Sequence, residues 1–584
     1  MPYLPALPVQ QTYRDVTDVF GGYNHHPKIA DGEFYDMTNL SSDNYPLLSN
    51  RERRGLAHRS STLQGIMEFS EKLVYVDDGT LYYDGEATAI SGLSAGDKQL
   101  VGMGAYICIF PDKVYYNTAD PTDCGSMEAE YSTVGEIRYS LCKSDGTVYE
   151  KKPIVSDTAP AEPTDGMLWL DSSSGGFTLK IYSSATIEWG SVPAVFTKIE
   201  FISSGEIREL FSEHDGVTIA GSTIEDVNGE KIIYALGVSD DERDFIVVTG
   251  LIKEAAVQNE GYITISRKVP DFDYICESQN RLWGCYYGQS DKGFLNEIYG
   301  SALGDFKNWR QYMGLSTDSW TASVGSDGEW TGAVNYMGRP LFFKENSLHT
   351  VTIAADGGHG ISETVCRGVQ PGSFRSLQVV NETLYYKSRD AVCAYQGGFP
   401  VSISENLGEK QYSSASAGAL PDKYYIAMDD ASGQRHIFVY DLKRGLWVRE
   451  DNFPVRMFAR VKNELYAVAE TGLWTMLGTE GEKEPYVEWS AESGILYYQY
   501  PDKKYLSRFN FRIGLEEGAE VKLYIMYDSN GRWEYKGMAK HNGLGSVTIP
   551  VLAHRCDHMR LKLEGKGDVH LYSIAKILEI GSDI

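Results

Sequence analysis

Residues 73–85, "LVYVDDGTLYYDG", set two short apolar and aromatic stretches on either side of Asp77-Asp78-Gly79. A strand, a tight turn and a second strand satisfy that pattern. The pattern recurs, each time preceded by a further short strand, at 64–85, 98–117, 272–303, 330–351, 373–395, 422–448 and 455–476. Turn residues fall where hairpins need them: Asp78-Gly79, Asn335 to Gly338, Asn381-Glu382, Ser432-Gly433 and Thr471-Gly472. A small sheet repeated in constant order along the chain buries both faces only if each copy covers its neighbour. The expected fold class is therefore all-β, a β-propeller of about seven blades. Two stacked sandwiches would give similar hairpins, but not so constant an order. The final spacing is the shortest, which predicts that a strand from the N-terminal arm completes the last blade.

Two stretches break the rhythm. Residues 118–270 form an inserted β-rich module that opens on the turn-rich "NTADPTDCGSME" (117–128), and 481–584 alternate apolar and polar positions as a C-terminal antiparallel β-sandwich does. The resulting division is 1–60 N-terminal arm, 61–117 first blades, 118–270 insertion, 271–480 remaining blades and 481–584 sandwich. Tyr3, Tyr13, Phe20, Tyr23, Phe34 and Tyr35 give the arm aromatic anchors for packing along a larger surface.

Charge divides the chain further. The formal net charge of −27 excludes generic attraction to nucleic acid or anionic membrane. Residues 485–584 hold 13 basic and 13 acidic side chains, so the rest carries the whole excess. An acidic coat serves solubility, and it would also suit a passage along which DNA slides without sticking. No run is long enough to cross a bilayer, and the N-terminus lacks a basic region followed by an apolar core, so no export signal is expected. Eight Cys, none in a CxxC pair, read as buried thiols of a protein made in a reducing cytoplasm.

Candidate chemistry is sparse. Gly92-Leu93-Ser94-Ala95-Gly96 matches GxSxG, but a nucleophile elbow needs a strand before it and a helix after it, whereas this segment joins two hairpins. In "HRCDH" (554–558), His554, Cys556 and His558 would share one face of a strand and offer three metal ligands. A loop with exposed His and inward Cys556 or Met559 is the plainer reading, and no fourth ligand is evident. "YDSNGRW" (527–533) lacks the downstream Glu of a calcium loop and reads as a hairpin turn. Neither a cofactor nor catalysis is expected. "NRERRG" (50–55) is the one basic cluster in the acidic part. Arg51, Arg53 and Arg54 are candidates for docking a partner, or for intrachain ion pairs.

"VFGGYNHHPKIADGEFYDMTNLSSDNYPLLSNRERRG" (19–55) resembles the opening of propeller-type virion proteins of tailed bacteriophages and prophages. The matching positions are Gly21, Asp31-Gly32-Glu33, Asn39-Leu40, Asp43, Tyr45-Pro46, Arg51, Arg53 and Arg54. Residues 555–583 resemble the closing strands of that group, and 160–190 resemble a short module of tail and fibre proteins. The resemblance implies a tail hub or nozzle-like structural protein. It would form a homo-oligomeric, typically sixfold ring that contacts portal, adaptor and other tail proteins while DNA passes through its lumen. Such a protein is made in the host bacterial cytoplasm and resides in the virion, with no membrane partner. The runner-up is a host-binding tail protein that recognises, or hydrolyses, surface carbohydrate, with Trp169, Trp189 and Trp533 as candidate contacts. A bacterial surface sensor fits less well without an export signal.

Overall fold

Small antiparallel sheets account for nearly all of the chain in the computed structural model, which describes residues 12–133, 135–202, 204–291, 293–354, 358–498 and 503–580. Tyr3, named above as an anchor, lies outside these residues, as does the end of the closing segment beyond 580.

All seven repeats are present as up-and-down sheets, but each has at least four strands, not three. The first runs Leu63–Phe69, Lys72–Asp77, Thr80–Tyr83 and Glu86–Ala87. Its central turn places Asp78 and Gly79 at φ 47° and 70°, the left-handed pair of a two-residue hairpin, between partners Asp77 and Thr80. The second to fifth sheets begin at Gln99–Met103, Tyr274–Glu277, Gly332–Tyr336 and Gln378–Val380. The sixth begins at Tyr412–Leu420, a strand absent from the repeat as read in the sequence. "YSSASAGAL" carries small residues of weak strand preference. Small size is required there, because a Cβ on Gly418 would lie 2.6 Å from Phe458 of the next sheet. The seventh sheet, Met457–Val461, Glu464–Ala469 and Gly472–Thr475, takes its fourth strand from Gly55–His58, as the short final spacing predicts.

Successive first strands touch: first to second, second to third, third to fourth, fifth to sixth, sixth to seventh, and seventh back to first. The fourth touches the turn Phe374–Ser376 that leads into the fifth. Apolar clusters close the gaps between neighbouring sheets, and those at the sixth sheet merge with the core of the C-terminal strands. Val74, Val76, Ile107 and Ile109 join sheets one and two, Cys108, Phe110, Leu282 and Trp309 join two and three, and Leu63, Tyr75, Met457 and Val468 join seven and one. Residues 107–110 of the second sheet are buried throughout because alternate side chains face two different neighbours. This two-sided burial is why the repeats read as unbroken apolar runs.

The insertion holds three further sheets between Ala129 and Arg267, over a core drawn from its own residues, including Tyr139, Ile199, Phe201, Ile246 and Ile265. Its entry and exit strands pair directly, Ala129 opposite Arg267.

The C-terminal strands make two facing sheets, but not from residues 481–584 alone. Thr12–Thr17 and Leu48–Asn50 pair with Val569–Ile580, and Glu33–Thr38 pairs with Glu488–Ser493. Gly22–Tyr23 pairs with the sixth sheet at Trp447, so one ten-stranded sheet runs from the sixth repeat into the sandwich. The strands of residues 12–50 are thus an integral part of the sandwich, and Gly22–Tyr23 of its junction with the sixth repeat. Phe20, Tyr23 and Phe34 are buried in that shared core, whereas Tyr13 is exposed.

Candidate docking junction

Where the N-terminal segment crosses from sandwich to repeats, charge is concentrated and dry. Arg54, fully buried, reaches Glu450 at 2.6 Å and Asp451 at 2.8 Å, and its guanidinium lies over the Phe453 ring. Arg51 reaches Glu484 at 2.7 Å, Asp451 at 3.3 Å and the Asn39 side-chain carbonyl at 2.7 Å. Burial alone would push the Asp451 carboxyl up, but Arg54 and Arg51 outweigh it and hold the group below its ordinary range. Nearby, Arg449 meets Asp36 at 2.9 Å, Lys423 pairs with Asp43, and Ser42 donates to Asp441 at 2.6 Å. Apart from the Arg51–Asn39 bond, each of these contacts ties residues 36–54 to residues 423–484. Of the two readings of Arg51 and Arg54, the intrachain ion pairs are the ones formed. Arg53, the third residue of the cluster, is exposed.

A second charged constellation spans non-neighbouring sheets. Asp97, just before the second sheet, lies 3.0 Å from Arg375 before the fifth and 3.5 Å from Arg456 before the seventh. Arg456 also donates to the carbonyl of Leu63 in the first sheet, and Phe374 packs on Tyr274 of the third, ring centroids 5.0 Å apart. The starts of five sheets are thereby fastened together. Sequence spacing gave no sign of it, because the partners lie hundreds of positions apart.

The metal candidates separate. His554 stacks on Tyr527 at 4.1 Å and is exposed, Cys556 is buried with its thiol donating to the Lys504 carbonyl, and His558 bonds Ser529 and Asp557. The segment is a loop joined to Lys504 by a single bridge, so the strand alternation that would align the three does not exist. Burial pushes the Cys556 thiol up to about 11, which keeps it a poor ligand and nucleophile. Asp528 sits in the hairpin turn after Glu520–Tyr527 and accepts from the amides of Asp557 and His558. All eight cysteines are free.

Ser94 accepts a hydrogen bond from the Lys98 ammonium at 2.7 Å, and Lys98 is itself paired to Asp112 at 2.6 Å. An ammonium locked in an ion pair has no lone pair with which to activate the hydroxyl. Of the three tryptophans named for sugar contact, Trp169 is buried against Trp189 under Lys180, and Trp533 lies in another part of the chain, beside Lys562.

No family model matches the chain, and no curated protein does. Solved structures with partial similarity include PorZ of Porphyromonas gingivalis, a surface component of a secretion system (11% identity, 88% of this chain and 82% of that one, TM-score 0.26). Citrobacter koseri AztD is 12% identical over 72% of this chain and 100% of that one, with a TM-score of 0.25. Chaetomium thermophilum Raptor is 9% identical over 74% of this chain, which spans only 30% of it, with a TM-score of 0.29. Scores this low carry no argument about function. Among the described residues no helix is long and apolar enough to cross a membrane.

Proposed function

We propose that this protein is a structural subunit of a bacteriophage tail or connector, in which the seven sheets are the blades of a propeller. Copies of the subunit assemble into a ring that joins portal-side and distal tail proteins. The observation that carries the reading is where the two resembling ends of the chain go. Residues 33–50 and 559–580, written at opposite ends of the sequence, share the same two sheets: Leu48–Asn50 pairs directly with Val569–Ile580 in one, and Glu488–Ser493 bridges Glu33–Thr38 to Met559–Lys566 in the other. Segments that share a family's pattern at both termini therefore form one unit, and the buried arginine junction fastens that unit to the blades. The cyclic order of first-strand contacts supports the propeller.

In this reading DNA does not thread the subunit itself. Asp97, Arg375 and Arg456 bridge the middle of the propeller, so the acidic passage lies at the axis of the oligomer. Arg53 and the charge-neutral stretch of residues 485–584 are the docking surfaces, since a neutral face is where copies bearing −27 meet with least repulsion. Mass spectrometry of purified particles, with labelling of the protein for electron microscopy, tests the proposal. A fixed stoichiometry and a tail-proximal label are expected, and absence from particles overturns it.

A further inference from the structure

We infer that the groove between the third repeat and the insertion binds an uncharged, hydroxyl-rich saccharide. The groove encloses about 550 Å³, within the range of small-ligand clefts. The long hairpin Leu282–Ser290 and Gly293–Gly300 forms one wall, and the loop through Tyr312 together with Glu230 of the insertion forms the other.

Three tyrosines line it, and each hydroxyl is held by a neighbour. Tyr286 donates to the Gln289 carbonyl at 3.2 Å, Tyr299 to Glu297 at 2.5 Å, and Tyr312 shares a bond with Thr321 at 3.1 Å. Rings fixed this way lose little freedom when a sugar's apolar face stacks on them. Tyr312, 52% exposed, offers the most open ring.

The charges lining the groove favour a neutral ligand. Arg310 is paired with Glu230 at 3.0 Å, and Asp271 with Lys113 at 2.7 Å. Glu297 accepts from Ser323 at 3.2 Å as well as from Tyr299. A polycation would have to displace the cations already paired with Glu230 and Asp271, and a polyanion would meet four lining carboxylates, Glu230, Asp271, Asp291 and Glu297. A sugar hydroxyl does neither, because the paired carboxylates keep spare lone pairs and Arg310 keeps spare N–H groups. The inference stands apart from the tail proposal: the groove can bind sugar whether or not the protein resides in a particle.

The test is a neutral-glycan array of bacterial cell-wall and capsule fragments probed with the labelled full chain, followed by titration calorimetry. A binding glycan with Kd between ~10 µM and ~1 mM is expected, weakened at least ~10-fold in Tyr312→Ala and in Tyr286→Ala, with the circular dichroism spectrum unchanged. Three results would each overturn the inference: no neutral glycan bound, binding kept within about twofold in both variants, or preferential binding of hexalysine added as competitor.

Discussion

Arg54 shows what a single side chain does when water is absent. It has no solvent exposure and two carboxylate partners on consecutive residues, so its removal leaves Glu450 buried and Asp451 half-buried with one cation too few. Arg54→Met is expected to cost ~3–5 kcal/mol in urea unfolding, and a loss below ~1 kcal/mol would show that water re-enters the junction freely. The sign of the pH dependence follows from Asp451. Its folded-state carboxyl is depressed by Arg54, so this contribution is full above its ordinary value of 3.8 and is lost as pH falls through the folded value. The gap in stability between the parent and Arg54→Met should therefore narrow below about pH 4, as read by unfolding at graded pH. Thiol chemistry belongs to the same scale. With Cys556 pushed up to about 11 by burial, the native protein should show no fast reaction of that residue with Ellman's reagent at pH 8, and its reaction should appear on unfolding.

Among elements, the strand Gly55–His58 has an effect larger than its four residues suggest, because it lies between Gly472–Thr475 and Glu482–Lys483. Leu56→Pro removes a backbone donor there and should destabilise the chain by ~3 kcal/mol or more, with new proteolytic nicks in the seventh sheet. Residues 128–268, expressed alone, should melt cooperatively, since their core is self-contained; a broad, non-cooperative melt would mean that the repeats support it. Much of this organisation was readable from the sequence. Two-residue turns such as Asp78-Gly79 fix hairpin register locally, and two-sided burial writes itself as an apolar run. What escaped reading depends on distant partners. Tyr412–Leu420 is made of small residues chosen by Phe458, and the strands of residues 12–50 are short pieces whose pairing is supplied by residues more than 400 positions away. Arg51 and Arg54 were noticed as a basic cluster, but only the fold supplies their acids. His554, Cys556 and His558 depended on a strand geometry that the loop does not adopt. Tyr286 and Tyr299 passed as ordinary strand residues of the third repeat, and Tyr312 lies in a loop beyond it.

For the molecule as a whole, the uneven charge sets how it meets its surroundings. Excess acidity over the chain before residue 485, beside a neutral stretch at 485–584, predicts no retardation of duplex DNA in a gel shift at ~0.15 M salt. Binding that weakens steeply with added salt would instead reveal a basic face that the folded surface hides. The weaving of both ends into shared sheets also constrains the order of events in making the protein. Gly55–His58 leaves the ribosome early, yet its partner Gly472–Thr475 emerges roughly 400 residues later, on the order of 20–80 s at ~5–20 residues per second. Until then the early strands wait with open edges, and neither the sandwich nor the last repeat can close. Synthesis must run nearly to its end before the earliest segment finds a permanent home, so a nascent chain halted past residue 268 would hold a folded insertion flanked by hairpins whose first and last sheets have not met.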